Sequence, residues 1–317
     1  MRMGVVVIGS FNIDHVWSLP ELPRPGETRS GTYRTGPGGK GFNQATAAAR
    51  AGAATTFICA LGSDAGGTLA RSLATGDGID LRAETVDAPT GTAGIYVDHG
   101  GLNSIVIGPG ANAHLSPRHI QAQTDALSTA GVVLAQMESP LDAVAAGFTA
   151  ANAAGALAML NPAPADALVP ASLLARCDLI TPNESEFCAQ LARHCGEHVE
   201  ADGLAGLDDD RLHALCRRLL PHGTVVITLG AAGCFASHAD PGRHGDDLPF
   251  RRVPAFPAQA IDTTGAGDAF SGALAASIAA GGARFSDHLE FASRYAGKAT
   301  EKPGAAEAMP RREELAD

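Results

Sequence analysis

The sequence predicts an α/β fold in which helices cover both faces of a mostly parallel sheet. The first observation is the run Val-Val-Val-Ile at 5–8, which ends in Gly9-Ser10 and is typical of a buried strand. The second is that strand-like and helix-like segments alternate along most of the chain. The predicted strands are 5–8, 55–59, 132–136, 156–160, 179–181 and 224–228, and the predicted helices are 41–50, 66–75, 141–154, 208–219 and 267–280.

The third observation is that a polar residue or a glycine follows each of several predicted strands. These positions are Asn12, Glu138, Asn161, Asn183 and Gly230. In a parallel sheet the carboxyl ends of the strands meet at one edge, where ligands bind. The sequence therefore predicts a substrate cleft at this edge.

Two segments interrupt the alternation. Residues 95–98 and 104–107 flank a His-Gly-Gly turn and predict a β-hairpin, and 28–35 is a further extended segment. We expect a small β lid formed by 14–38 and 91–110. The α/β core would then comprise 1–13, 39–90 and 111–317.

Composition limits the classes of partner. The 317 residues are 45% hydrophobic, enough for a full core, and the formal net charge is −11. This charge argues against a nucleic acid or an anionic membrane as the main partner. The first residues contain only a short apolar run, so neither a signal peptide nor a membrane span is expected there, and we predict a cytoplasmic protein.

The cysteines do not indicate disulfides or a metal site. There are 6 of them, scattered without a CxxC pair, as expected of a reducing compartment. His194, Cys195 and His198 are the one group that resembles a metal set. They lie in the polar stretch 194–210, which we interpret as a surface insertion.

The segment 262–270 (DTTGAGDAF) combines glycines with a carboxylate where a small-residue helix begins. Gly265 and Gly267 permit backbone angles that turn N–H groups toward an anion at the helix N-terminus. Asp268 would lie beside that anion, where it can accept a proton from an attacking hydroxyl. The alternative is an ordinary aspartate-capped helix after a glycine turn.

A second glycine segment, 36–43 (GPGGKGFN), also precedes a helix. It is not a P-loop, because no Ser or Thr follows Lys40. Lys40 and Asn43 suit a small hydroxylated ligand, as do Asn12 and Asp14, which alternate on an extended segment, and Glu138 at a strand end. A simple glycine turn and exposed loop polarity are the alternatives.

Two further strand ends carry ligand-type groups. Asn183 and Glu186 have the spacing of a helix capping box, and the same pair could orient waters on Mg²⁺. Residues 228–233 (TLGAAG) follow a strong strand and could hold nucleotide phosphates or simply turn the chain.

Taken in order, these motifs resemble the PfkB family of carbohydrate kinases, and within it the ribokinase group. The resemblance covers nearly the whole chain. It is carried by 12–14 (NID), 38–45 (GGKGFNQA), 110–112 (GAN), 136–140 (QMESP), 161–164 (NPAP), 181–184 (TPNE) and 262–270.

The resemblance implies a ribokinase-like α/β/α core with a β lid that makes a homodimer, and ATP-dependent phosphorylation of D-ribose at O5. It implies that ribose is held by Asn12, Asp14, Gly39, Lys40, Gly41, Phe42, Asn43 and Glu138, with Asp268 as general base. The amides of Gly265, Ala266 and Gly267 would stabilise the transferring phosphoryl group. ATP would contact Thr228, Leu229, Gly230, Ala231, Ala232, Gly233, Asn183, Gly267, Asp268 and Ser293.

The resemblance also implies two cations. Asn183 and Glu186 would organise Mg²⁺ through water, and K⁺ would lie at Asp262, Thr264, Ala299, Lys302, Gly304 and Ala308. The chain departs from the family pattern at Ala308, which lacks a hydroxyl, at Pro303, and at Ser293, where an asparagine is common. These departures concern potassium dependence and binding of the adenine base.

Three other functions remain open from the residues. The same motifs would serve a kinase for deoxyribose, a ketohexose or a nucleoside, or a sugar sensor without catalysis. A nicotinamide oxidoreductase fits the sheet pattern in outline, but the GxGxxG fingerprint is missing after the first strand.

Overall fold

A computed structural model describes residues 4–315. Its strands are β1 (Gly4–Ile8), β2 (Asn12–Leu19), β3 (Thr32–Gly38), β4 (Ala54–Gly62), β5 (Asp80–Val86), β6 (Gly91–Asp98), β7 (Asn103–Gly108), β8 (Ala130–Ala135), β9 (Leu157–Leu160), β10 (Leu179–Ile180), β11 (Thr224–Thr228), β12 (Cys234–His238) and β13 (Phe250–Val253). Its α-helices are α1 (Lys40–Arg50), α2 (Ala65–Gly76), α3 (Pro117–Gln121), α4 (Thr124–Thr129), α5 (Leu141–Ala154), α6 (Ala171–Leu174), α7 (Glu184–Cys195), α8 (Ala201–Leu204), α9 (Asp209–Leu219), α10 (Ala266–Ala280) and α11 (Phe285–Ala299).

The large sheet has nine strands in the order β13-β12-β11-β10-β9-β8-β1-β4-β5. Neighbours from β11 to β5 are parallel, whereas β12 and β13 are antiparallel additions at one end. This arrangement confirms the predicted α/β class.

Both faces of the large sheet are covered, as the alternation along β1 shows. Val5 and Val7 pack in a cluster that includes Phe42 of α1. Val6 and Ile8 point the other way, into a cluster that includes Phe148 of α5. Because successive strand residues face opposite sides, a continuous apolar run such as β1 requires a helical layer on each face.

A separate sheet has four strands in the order β3-β2-β6-β7. The predicted hairpin is confirmed as the antiparallel pair β6–β7. The extended segment expected at 28–35 is displaced, since β3 covers Thr32–Gly38. The strand β2, which joins this sheet to β1, begins at Asn12, two residues before the predicted start of the lid.

The five predicted helices form, with ends within about a residue of the expected positions. The segment 194–210 is more structured than a surface insertion, because it contains α8 and buries Leu204 completely. Between residues 4 and 315, every helix is too short or too polar to cross a bilayer. All 6 cysteines are free thiols.

Candidate active site

Two cavities lie at the first turn of α10, and a third lies beside the small sheet. The central cavity, of about 140 Å³, is lined by Lys40, Asn161, Ala163, Thr181, Asn183, Glu186, Thr228, Thr263, Gly265, Ala266, Gly267 and Asp268. An outer cavity of about 560 Å³ shares Asn183, Thr228, Thr263, Ala266 and Gly267 with it. A small-sheet cavity of about 460 Å³ is lined by Asn12, Ile107, Pro109, Asn112, Ala113, Met137, Glu138, Ser139 and Pro140. The polar positions predicted at the strand ends therefore contribute to neighbouring cavities.

Helix α10 begins in the conformation predicted for Gly265, whereas Gly267 lies within the helix and has no positive φ. Gly265 is the cap residue with φ +75°, a left-handed conformation that favours glycine. The N–H of Ala266 donates to the Thr263 carbonyl at 3.1 Å, whereas within residues 4–315 the N–H groups of Gly265 and Gly267 have no protein partner. These two amides are therefore the ones available to an anion at the helix N-terminus.

Asp268 is buried, with 6% of its surface exposed, and both carboxylate oxygens accept hydrogen bonds from α1. Asn43 Nδ2 donates to Oδ2 at 2.9 Å and Gln44 Nε2 donates to Oδ1 at 2.8 Å. The close approach of the helices depends on Gly272, because a Cβ there would lie 2.4 Å from the Gln44 carbonyl oxygen. The small-residue composition of α10 thus brings α1 to the carboxylate.

Several charged side chains lie close to the buried Asp268 carboxylate, which is unusual for a protein interior. Burial raises the pKa of Asp268, while Lys40 and the two amide donors oppose that rise. Burial disfavours the charged form of Lys40, but the carboxylates of Asp268, Glu138 and Glu186 offset it and raise the pKa of the ammonium. Lys40 therefore remains a cation beside Asp268.

The small-sheet cavity has a hydrogen-bonded floor. Glu138 Oε2 accepts hydrogen bonds from Ser10 Oγ at 2.6 Å and from the Lys40 N–H at 3.0 Å. Asn112 Nδ2 donates to Asn12 Oδ1 at 2.8 Å. Ser10 and Asn112 were not among the predicted site residues, although Asn112 belongs to the Gly-Ala-Asn motif at 110–112 that helps to carry the family resemblance. Their role is to fix two groups that the sequence analysis did predict.

Asp14 lies on β2, two residues beyond Asn12, and alternation places both residues on one face of the strand. Burial, helped by the nearby carboxylates of Glu138 and Asp268 and opposed by Arg34, raises the pKa of Asp14 to about 6. A Cβ at Gly38 would lie 2.2 Å from Asp14 Oδ2. The glycine of the neighbouring strand therefore makes room for this carboxylate.

The loop before α1 packs closely on the end of β1. Gly39 has φ +88°, and a Cβ at Gly41 would lie 2.4 Å from the Ser10 nitrogen. Phe42 is 1% exposed and packs in the core against Phe11, with ring centroids 5.1 Å apart. Phe42 thus anchors the start of α1, and the backbone around it faces the site.

The capping interpretation of Asn183 and Glu186 is confirmed. The Asn183 N–H donates to Glu186 Oε2 at 2.9 Å, and the Glu186 N–H donates to Asn183 Oδ1 at 2.8 Å. Both residues nevertheless line the central cavity, and burial raises the pKa of Glu186. The capping box therefore holds a carboxylate at the cavity wall.

The outer cavity joins the end of β11 to α11. Thr228, Gly230, Ala231 and Gly233 line it, together with the apolar Phe256, Pro257 and Ala258. Of the other predicted positions, Leu229 packs in the core and Ala232 is exposed beside the turn. Ser293 lines the cavity and its hydroxyl donates to the Pro254 carbonyl at 3.2 Å.

The residues predicted at a potassium site lie on two connected loops. Asp262 accepts hydrogen bonds from the N–H groups of Thr264 and Gly304, both at 2.9 Å. Lys302 pairs with Glu314 at 2.8 Å, so its ammonium is directed to that carboxylate. The side chains of Ala299 and Ala308 are buried. Asp262 therefore ties the loop before α10 to the loop after α11.

The group His194, Cys195 and His198 does not form a metal site. No cluster of three or more His, Cys, Asp or Glu suited to a metal ion occurs in residues 4–315. His194 Nε2 instead makes a 3.0 Å contact with the Val169 carbonyl oxygen, and His198 is exposed.

The chain is similar in sequence and fold to several known proteins. A ribokinase of Haemophilus influenzae is 37% identical over 99% of this chain and 97% of its own length. A bifunctional ribokinase/ribose-5-phosphate isomerase A of Fructilactobacillus sanfranciscensis is 38% identical over 98% of this chain, which spans 55% of that longer protein. The structure of Arabidopsis thaliana ribokinase complexed with ribose and ATP superposes with a TM-score of 0.83 at 30% identity, covering 99% of this chain and 98% of that one. The model of the pfkB family carbohydrate kinases matches residues 3–312, so the chain belongs to this family.

Proposed function

We propose that this protein is an ATP-dependent ribokinase that transfers the γ-phosphoryl group of ATP to O5 of D-ribose. The observation that carries the proposal is the position of Asp268, a buried carboxylate that lines one cavity with two free amides and the half-buried Lys40. The ribokinases to which the chain is similar over their full length support the choice of ribose.

In the proposed reaction, O5 of ribose forms a bond to the γ-phosphorus while the bond from that phosphorus to the bridging oxygen of ADP breaks. The hydroxyl proton passes to Asp268 as the new bond forms. The N–H groups of Gly265 and Gly267 donate to the phosphoryl oxygens, and Lys40 balances negative charge on the same side. The proposal relies less on the Ala266 amide, because that N–H already donates to Thr263.

Ribose would lie between the small sheet and α1. Asn12, Asp14, Asn43 and Glu138 offer acceptors and donors for its hydroxyls, and the backbone at Gly39, Lys40 and Gly41 borders them. ATP would lie in the outer cavity, with its base against the apolar wall at 256–258 and Ser293, and its phosphates toward Asn183, Gly267 and the turn 228–233.

Magnesium fits the central cavity as part of Mg-ATP. The carboxylate of Glu186 and the amide of Asn183 are at its wall, and without a three-ligand acidic cluster in residues 4–315 the ion would depend on phosphates and water. A bound Mg²⁺ would neutralise developing charge on the phosphates. Glu186 and Asn183 would orient its waters.

Potassium also fits the loops held by Asp262. Carbonyl oxygens are the usual ligands of a large monovalent cation. The backbone oxygens of the predicted positions could therefore still bind K⁺, even though Ala308 has no hydroxyl. The side chain of Asp262 already accepts two N–H bonds and would act as the fixed negative charge. Bound K⁺ would stiffen the loop that precedes Gly265.

One assay tests the proposed function. ADP release should be measured with Mg-ATP across ribose, deoxyribose, fructose and adenosine, each with and without potassium. We expect selectivity for ribose and activation by potassium. Preference for another sugar would contradict the proposed substrate, and inactivity across the panel would favour the sensor alternative.

Asp14 should control ribose affinity. Replacing Asp14 by Ala is expected to raise the ribose Kd roughly 10- to 100-fold, the usual loss for a hydrogen bond to a charged group. Because the Asp14 carboxylate is ionised above its pKa of about 6, ribose affinity should fall as the pH drops through that value. Calorimetric titration without ATP at pH 5 to 8 measures both effects.

Asp87→Ala, a change at an exposed carboxylate, is the control and should leave affinity unchanged. The Asp14→Ala variant should lose the pH dependence near 6. A change restricted to ATP binding would contradict the placement of Asp14.

The small sheet is proposed to make a homodimer. All six residues of the edge strand β7 are exposed, and Leu102, Val106 and Tyr33 are large hydrophobic side chains more than half exposed. Such a patch at a sheet edge is typical of an interface. Val106→Glu should shift the protein toward a monomer in sedimentation velocity, whereas Leu168→Glu, at an exposed leucine outside this sheet, should not. A monomeric unmodified protein would contradict the proposal.

A further inference from the structure

Gln44 lies at the centre of a buried chain of amide side chains that ends on Asp268. It is 0% exposed. Its Nε2 donates both to Asp268 Oδ1 at 2.8 Å and to Asn161 Oδ1 at 3.0 Å. Its Oε1 accepts from Gln136 Nε2. Every polar atom of the Gln44 side chain is therefore engaged.

The orientation of this chain follows from a backbone carbonyl. Asn161 Nδ2 donates to the Thr181 carbonyl oxygen at 2.7 Å, and a carbonyl oxygen can only accept. Asn161 must therefore present Oδ1 to Gln44, and Gln44 must present its NH₂ group. The same NH₂ group also donates to Asp268. The carbonyl oxygen of Thr181 thus fixes, through Asn161, the orientation in which Gln44 donates to the carboxylate.

We propose that Gln44 is a positioning residue for Asp268. Gln44 holds one oxygen of the Asp268 carboxylate in place and keeps this carboxyl group in its ionised, proton-accepting form. This inference rests on the proposed kinase function. A fixed donor on Oδ1 favours the ionised carboxylate over the acid and leaves further acceptor sites for the sugar hydroxyl. Asn43 does the same for Oδ2.

The other groups around Asp268 show why such a donor matters. Lys40 favours the ionised form, whereas the nearby carboxylates of Glu138, Asp14 and Glu186 disfavour it. Burial acts in the same direction as these carboxylates. The two amides and one lysine thus oppose desolvation and three like charges.

The test is the pH profile of kcat/KM for ribose in Gln44→Met, which retains the length and removes both hydrogen-bonding atoms. The pKa of Asp268 should rise, so the acidic limb should move to higher pH by about one to two units. The ribose Kd should change little, because Gln44 is fully buried. The fold is checked by thermal unfolding.

Two variants keep the test decisive. Gln190→Met removes another fully buried glutamine, on α7, and should leave the limb in place. Gln136→Met removes the donor to Gln44 Oε1 and should produce a smaller shift in the same direction, which also serves if Gln44→Met does not fold. An unmoved limb in both Gln44→Met and Gln136→Met, in a protein whose unmodified form phosphorylates ribose, would overturn the inference. Inactivity of the unmodified protein would instead overturn the proposed function.

Discussion

Asp268→Asn is expected to lower turnover roughly 10²- to 10⁴-fold while ribose still binds. The amide cannot accept the hydroxyl proton, and that proton must leave as the bond to phosphorus forms. The change is small in volume, but it places an NH₂ group opposite donors from Asn43 or Gln44, so a modest loss of stability is also expected. Single-turnover kinetics with saturating ribose and Mg-ATP measure the chemical step.

The matched control is Asp246→Asn, at a second buried carboxylate, which precedes β13 and accepts a hydrogen bond from Arg251 of that strand. That variant should lose stability and keep its turnover. A near-normal single-turnover rate in Asp268→Asn would remove Asp268 from the role of base.

Gly267→Ala is expected to lower kcat/KM by roughly 10²-fold or more with no loss of stability. A Cβ at Gly267 meets no atom within 4 Å, so the fold tolerates it, and alanine in a helix is favoured over glycine by about 0.5–1 kcal/mol. The residue lines both the central and the outer cavity. The methyl group would displace a phosphoryl group from its N–H donors, whose loss typically costs 10²–10³ in rate.

Two glycine variants bracket this result. Gly76→Ala, at the end of α2, also meets open space and should leave activity unchanged, with stability equal or slightly higher. Gly265→Ala should lose both, because φ is +75° and its Cβ would lie 3.0 Å from Ala305 Cβ. Full activity in Gly267→Ala would show that the phosphoryl group does not approach this turn.

The secondary structure was predictable where a periodic pattern is strong. The run 224–228 became β11 and 141–154 became α5 without displacement. Helix α11 was not predicted, although Phe285, Leu289, Ala292 and Tyr295 recur at helical spacing on its buried face. The segment around Leu204 was misjudged as surface since its few apolar residues find their partners only in the folded core.

The features of the candidate site likewise divide into those that a local sequence pattern predicts and those that depend on distant segments. The glycine turn before α10, the glycine-rich entry to α1 and the capping box at Asn183 are local features, because glycine conformations and helix caps depend on residues a few positions apart. The local turn already suggested Asp268 as a proton acceptor, and the family motifs favoured that hypothesis over a simple helix cap.

Contacts between distant segments lie beyond such local signals. Gln44 and Asp268 are 224 positions apart, and Ser10 and Glu138 are 128 apart. Their hydrogen bonds exist because α1 packs on α10 at Gly272 and because parallel strands align their carboxyl ends. The sequence thus specifies which chemical groups stand at each strand and helix end, while the packing of sheet and helices sets which of them meet and how strongly burial shifts their pKa values.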